Sequence, residues 1–114
     1  MITLFGIPNC DTIKKARLWL EANDIEYRFH DFRKDGLEAQ KACEWLEQLG
    51  PEKLINKRST TWKQLNDQEK SELIEGNAVP LLLEQPTLIK RPVLEGTAEL
   101  QVGFKAERYA DLFS

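Results

Sequence analysis

The tightest constraint on the fold lies at the start of the chain, where a β-forming run meets a proline turn, a cysteine and a helical pattern in immediate succession. Ile2-Thr3-Leu4-Phe5-Gly6 reads as a first strand ending at a glycine, and Ile7-Pro8-Asn9 breaks it. After Cys10, the apolar residues Ile13, Ala16, Leu18 and Leu20 recur with mixed spacing against polar Lys14, Lys15, Arg17 and Glu21, which predicts a helix from about Cys10 to Asn23. Ile25 to Phe32 then alternates with period two, as a strand with one buried face does. The chain therefore opens strand, helix, strand.

Leu37, Ala39, Ala42, Cys43, Leu46 and Leu49 fall at three- and four-residue intervals and predict a second amphipathic helix ending at Gly50, with Cys43 on its apolar face. From Glu52 to Gln85 the apolar residues come in short clusters with polar breaks, the pattern of several short helices. Pro80 fits only a first helical turn, so one of these helices is expected to start near Val79. Two short strands follow, around Val93 and Val102, joined by a turn at Gly96, and a last helix spans Ala106 to Phe113 with Tyr109, Leu112 and Phe113 available for the core. The order is β-α-β, a helical stretch, then β-β-α, an α/β chain without repeats or linkers.

A chain of 114 residues has room for one compact domain, and 41% hydrophobic with 31% charged residues is the balance of an ordinary globular protein. No apolar run approaches the roughly 20 residues of a membrane-spanning helix, and Met1 to Pro8 lacks the character of a signal peptide, which points to the cytoplasm. Cys10 and Cys43 cannot build a disulfide framework, and a lone His30 offers no metal-ligand cluster. A net charge of -3 argues against a nucleic-acid binder, so any anion site must be local. Lys14, Lys15 and Arg17, then Lys57 and Arg58, then Lys90, Arg91 and Lys105 are the basic groups that could supply one.

Cys10 is the residue with chemical promise. A cysteine at a helix start meets unpaired backbone N–H groups and the positive end of the helix dipole, which favour the thiolate, and Lys14 and Arg17 would add to this if they fold back. The alternative is an inert buried cysteine. Ile13 occupies the position three after Cys10, so no dithiol motif exists. A single-cysteine chemistry then needs an external thiol or Cys43 as a resolving partner, and the helix-face position of Cys43 favours core packing. Thr12 could donate to a bound anion or bond its own backbone, His30 reads as a packed or surface residue, and Trp19, Trp45 and Trp62 as core or surface anchors.

Phe5-Gly6-Ile7-Pro8-Asn9-Cys10-Asp11-Thr12, Leu54-Ile55-Asn56-Lys57-Arg58, and Glu84-Gln85-Pro86 through Leu88-Ile89-Lys90-Arg91-Pro92 resemble the arsenate reductase (ArsC) family. Asn56 through Trp62 and Val102-Gly103-Phe104-Lys105 resemble most its YffB-like members, which are related to the Spx regulators. The resemblance implies a thioredoxin-like domain over residues 1–114, with sheet segments at about 1–35 and 86–114 and a helical insertion at about 36–85. It makes Cys10 the nucleophile and Arg91 an oxyanion-binding arginine, with Arg58, Thr12, Lys14, Lys105 and Pro92 as further candidates for the site. It also implies a cis peptide between Arg91 and Pro92. Compared with arsenate reductases, Asn56 and Phe104 stand at two arginine positions, Gly6 at a histidine and Ile13 at a serine.

The function this implies is a glutathione-dependent thiol reductase, with glutathione or another small thiol or disulfide as substrate, glutaredoxin as a possible partner, and no bound cofactor, metal, nucleic acid or membrane. Two other functions stay open: arsenate reduction with glutathione and glutaredoxin, and a regulator of the Spx kind that acts by binding RNA polymerase.

Overall fold

The structure, a computed structural model, describes residues 2–114, which form two compact units. The first combines the residues up to Asp35 with Arg91–Ser114, and the second is Gly36–Lys90.

The first unit is a four-stranded mixed sheet in the order β2-β1-β3-β4, with β1 at Ile2–Gly6, β2 at Tyr27–Asp31, β3 at Val93–Glu95 and β4 at Gln101–Val102. β1 pairs parallel to β2, with Phe5 opposite His30, and antiparallel to β3, with Phe5 opposite Val93. Parallel strands need a crossover, and helix α1 (Asp11–Ala22) supplies it. The β-α-β and β-β-α halves around one sheet give the thioredoxin-like α/β fold expected from the sequence. Leu4 and Leu94 on the strands, Ala16 and Leu20 on α1, and Tyr109 on the C-terminal helix meet in one fully buried cluster.

Local chemistry sets the element ends. α1 stops in a Schellman arrangement: Asp24 takes φ 56, its N–H donates to the Glu21 carbonyl at 3.2 Å, and the Ile25 N–H donates to the Leu20 carbonyl at 3.0 Å. The alternating pattern extends to Phe32, but β2 ends at Asp31. The Asp31 carboxylate accepts from the Arg33 N–H at 2.9 Å and so caps the short helix α2 (Phe32–Asp35), which draws Phe32 out of the strand.

The second unit holds α3 (Ala39–Leu49), α4 (Pro51–Leu54), α5 (Thr60–Gln64), α6 (Asp67–Ile74), α7 (Val79–Glu84) and a 3₁₀ turn at Pro86–Leu88. Pro80 lies in the first turn of α7, as expected. Ser59 caps α5 by accepting from the Trp62 N–H at 3.1 Å, and Asn66 with Glu69 forms a capping box on α6. The middle of the unit meets its C-terminal end in an antiparallel bridge between Ile55 and Ile89, where the Asn56 N–H donates to the Leu88 carbonyl and the Lys90 N–H to the Leu54 carbonyl.

Cys43 departs from expectation: it is exposed. The buried residues of α3 are Ala42 and Trp45. At 100° per residue Cys43 lies about 200° from Trp45, and the large indole decides which side of the helix turns inward.

The last helix, α8 (Ala106–Phe113), packs through Tyr109, whose ring meets Trp19 edge-on at 5.6 Å and Phe104 at 4.8 Å. Among the described residues no helix is long and apolar enough to cross a membrane.

Candidate active site

The register of the sheet places the site. Because β3 runs antiparallel to β1 with Val93 opposite Phe5, the residues just before Val93 lie beside those just after Phe5. Arg91 and Pro92, joined by a cis peptide as expected, are thereby brought to the turn that ends in Cys10.

Cys10 is half-buried and has extended backbone angles (φ -121, ψ 126), while its carbonyl accepts the Lys14 N–H at 3.0 Å. It is therefore the N-cap of α1. Oxygen side chains at such positions close a hydrogen bond onto the first turn; the Cys10 sulfur forms no closed cap, and the nearby N–H groups act on it as oriented dipoles. Burial by itself pushes the Cys10 thiol up. The N–H groups of Ile13 and Thr12, followed by the hydrogen bond and positive charge of Arg91, outweigh burial and hold the thiol below its ordinary value.

The structure thus brings together Cys10, Thr12 and Arg91, with Thr12 acting through its backbone. Lys14 is exposed on α1, and Lys105 is exposed at the N-cap of α8. Arg58 belongs to the second unit, where it is exposed and its N–H donates to the Asn56 side chain at 3.1 Å. Its neighbour Lys57 pairs with Glu52 at 2.8 Å and lies 5.8 Å from the Trp62 ring centre.

Arg17 does not support the thiolate. Its guanidinium lies over the Phe29 ring at 4.4 Å and its Nε donates to the Tyr27 hydroxyl at 2.9 Å, so it ties α1 to the edge strand β2. His30 is packed between aromatic rings, 4.8 Å from Phe5 and 6.2 Å from Phe32. Ile13 contributes more than the absence of a second thiol, because its N–H is among the groups that stabilise the sulfur anion. The signal was its place three residues after an N-cap, where a cap normally finds its donor. Among the described residues no group of three or more His, Cys, Asp or Glu side chains converges as metal ligands would.

Comparison with known proteins follows the same lines as the geometry. The model of the ArsC family matches residues 5–112. The chain belongs to the ArsC family. Among ArsC-related structures, that of a YffB protein superposes over the whole of both chains with TM-score 0.92 and 38% identity. An arsenate reductase (ArsC) related protein from Brucella melitensis is 43% identical, with TM-score 0.77 over 99% of this chain and 94% of that one. The global transcriptional regulator Spx of Enterococcus faecalis is 32% identical over 94% of this chain and 82% of its own length.

Phe104 and Asn56, which the sequence resemblance sets against arginines of arsenate reductases, make other contacts here. Phe104 is partly buried against the core and stacks edge-on with Tyr109. Asn56 accepts the Arg58 N–H in its own turn and donates its backbone N–H to Leu88.

Proposed function

We propose that this ArsC-family chain is a glutathione-dependent thiol–disulfide reductase with Cys10 as its single nucleophile. The observation that carries this reading is the Cys10 sulfur, stabilised as an anion by the Thr12 and Ile13 N–H groups and by the Arg91 guanidinium.

The Cys10 thiolate attacks the glutathione sulfur of a mixed disulfide. A Cys10–glutathione disulfide forms, and the substrate leaves as a thiolate that takes up a proton. A second glutathione, as its thiolate, then attacks the glutathione sulfur of the adduct, which releases oxidised glutathione and regenerates the Cys10 thiolate. The net change exchanges one disulfide for another: the substrate sulfur is reduced to a thiol, the incoming glutathione sulfur is oxidised in its place, and the glutathione of the mixed disulfide stays at the disulfide level throughout. Arg91 suits a carboxylate of glutathione, and Lys14 and Lys105 are further cations of the same unit for the tripeptide's second carboxylate.

Arsenate chemistry is the poorer fit. A tetrahedral oxyanion needs several charge-assisted donors, and the packing of Phe104 and the turn at Asn56 leave Arg91 as the arginine beside the sulfur. Attack on a disulfide sulfur needs no such cage.

The test is intact mass after incubation with oxidised glutathione, together with turnover of a glutathione mixed disulfide, in Cys43→Ser and in Cys10→Ser/Cys43→Ser. One glutathione adduct and measurable turnover in the first, and neither in the second, are expected. Efficient arsenate reduction with the mixed disulfide ignored would make the chain an arsenate reductase, and stable capture of RNA polymerase without turnover would make it a regulator.

A further inference from the structure

Gly6 ends β1, and Ile13 lies in the first turn of α1. A Cβ added to Gly6 would strike the Cδ1 atom of Ile13 and come within 3.0 Å of its Cγ1, with Phe29 Cε1 at 4.0 Å. Ile13 is fully buried, so its side chain has no solvent to swing into. Gly36, Gly50, Gly96 and Gly103 have positive φ, but Gly6 does not. Any residue could take up its backbone, and what glycine supplies here is space.

We infer that Gly6 and Ile13 are a size-matched pair that positions the reactive cysteine. The Ile13 side chain is seated in the room Gly6 leaves, and this seat aims the Ile13 N–H at the Cys10 sulfur. The two are positioning residues. Gly6 has no side chain and that of Ile13 is fully buried, so both act through the placement of one backbone dipole. Dipole and hydrogen-bond effects weaken steeply with misalignment, so a small lift of the first turn is felt at the sulfur. The inference rests on reading Cys10 as a working thiolate, but not on glutathione as its substrate.

The experiment titrates Cys10 by the ultraviolet absorbance of its thiolate in a Cys43→Ser background, which leaves one thiol to observe. Gly6→Ala is expected to raise the Cys10 pKa by about half to one unit, the size of a partly lost dipole contact. Gly6→Ala combined with Ile13→Val adds one methyl and removes the one it strikes, conserving volume, and is expected to return the pKa to within about 0.3 units of the parent. A folded Gly6→Ala protein that titrates like the parent overturns the inference, as does a double variant shifted as far as Gly6→Ala alone. If Gly6→Ala fails to fold, as judged by circular dichroism, the double variant is expected to fold and titrate like the parent, and its failure to do so counts against the pairing. Glutathione turnover measured on the parent separates the two readings, since the pKa shift stands or falls without it.

Discussion

Tyr109→Phe is expected to make the protein more stable. Tyr109 is fully buried, and its hydroxyl has no hydrogen-bond partner among the described residues. The substitution keeps the ring, and with it the edge-on contacts to Trp19 and Phe104 and the burial against Leu4, Leu20 and Leu94. What it removes is a polar group held away from water, which costs roughly 1–3 kcal/mol when unpaired. The vacated space is one oxygen atom, so a net gain of about 1–2 kcal/mol is expected. For a chain of this size that is about 4–8 °C in melting temperature. Urea denaturation gives the same comparison through a higher midpoint at unchanged slope. Alkaline pH supplies an independent readout. Burial pushes the Tyr109 phenol above its ordinary value, while in the unfolded chain it ionises near 10. Above that pH the native state binds more protons than the unfolded state, and wild-type stability falls by about 1.4 kcal/mol per pH unit from this one group. Tyr109→Phe lacks that loss, so its advantage widens above pH 10, and the phenol of Tyr27, also raised by burial, accounts for slope that remains. A fall in stability of about 1 kcal/mol or more at neutral pH would refute the reasoning, because it would mean the hydroxyl has a bonding partner.

Arg91→Ala is expected to move the Cys10 thiol up toward its ordinary value. A raised pKa leaves less thiolate near neutral pH but makes each thiolate more nucleophilic, so alkylation is expected to slow near neutral pH and to overtake wild type once the pH exceeds the new pKa. A pH–rate profile identical to wild type would dismiss Arg91 from the site. Arg17→Ala should lower stability by about 1–2 kcal/mol through its lost contacts with Phe29 and Tyr27, and leave the Cys10 titration where it was; a shifted titration would return Arg17 to the thiolate. Gly50→Ala should cost about 1–3 kcal/mol in urea denaturation, because Gly50 holds φ 80 and ψ 158 with nothing within 4 Å of an added Cβ, making the cost conformational. A neutral result would mean that the chain at Gly50 relaxes to ordinary angles.

The elements that local chemistry decides were legible in the sequence. Ile2 to Gly6, the placement of Pro80 in a first turn, and the closing helix from Ala106 need only propensity and the geometry of proline. Cys10 at a helix start was legible for the same reason. What escaped depends on partners remote in sequence or on competition between neighbours. Cys43 lies at a position that apolar spacing assigns to the core, yet Trp45 outweighs it and turns it out. Arg17 finds a tyrosine hydroxyl and a phenylalanine face on β2, which no count of charges near Cys10 could reveal. Gly6 reads as the end of a strand, and its fit to Ile13 exists only once α1 lies over the sheet.

The inner strand β1 has one partner near it in sequence and one far along the chain. β2 follows β1 closely, but β3 is made after the whole of the second unit. During synthesis, β1 and Cys10 leave the ribosome long before Arg91 exists, and the antiparallel register that carries Arg91 to the sulfur cannot form until then. A nascent or truncated chain thus carries a cysteine without its guanidinium neighbour. The arginine's support of the sulfur anion is therefore a property of the finished molecule and not of its N-terminal part alone.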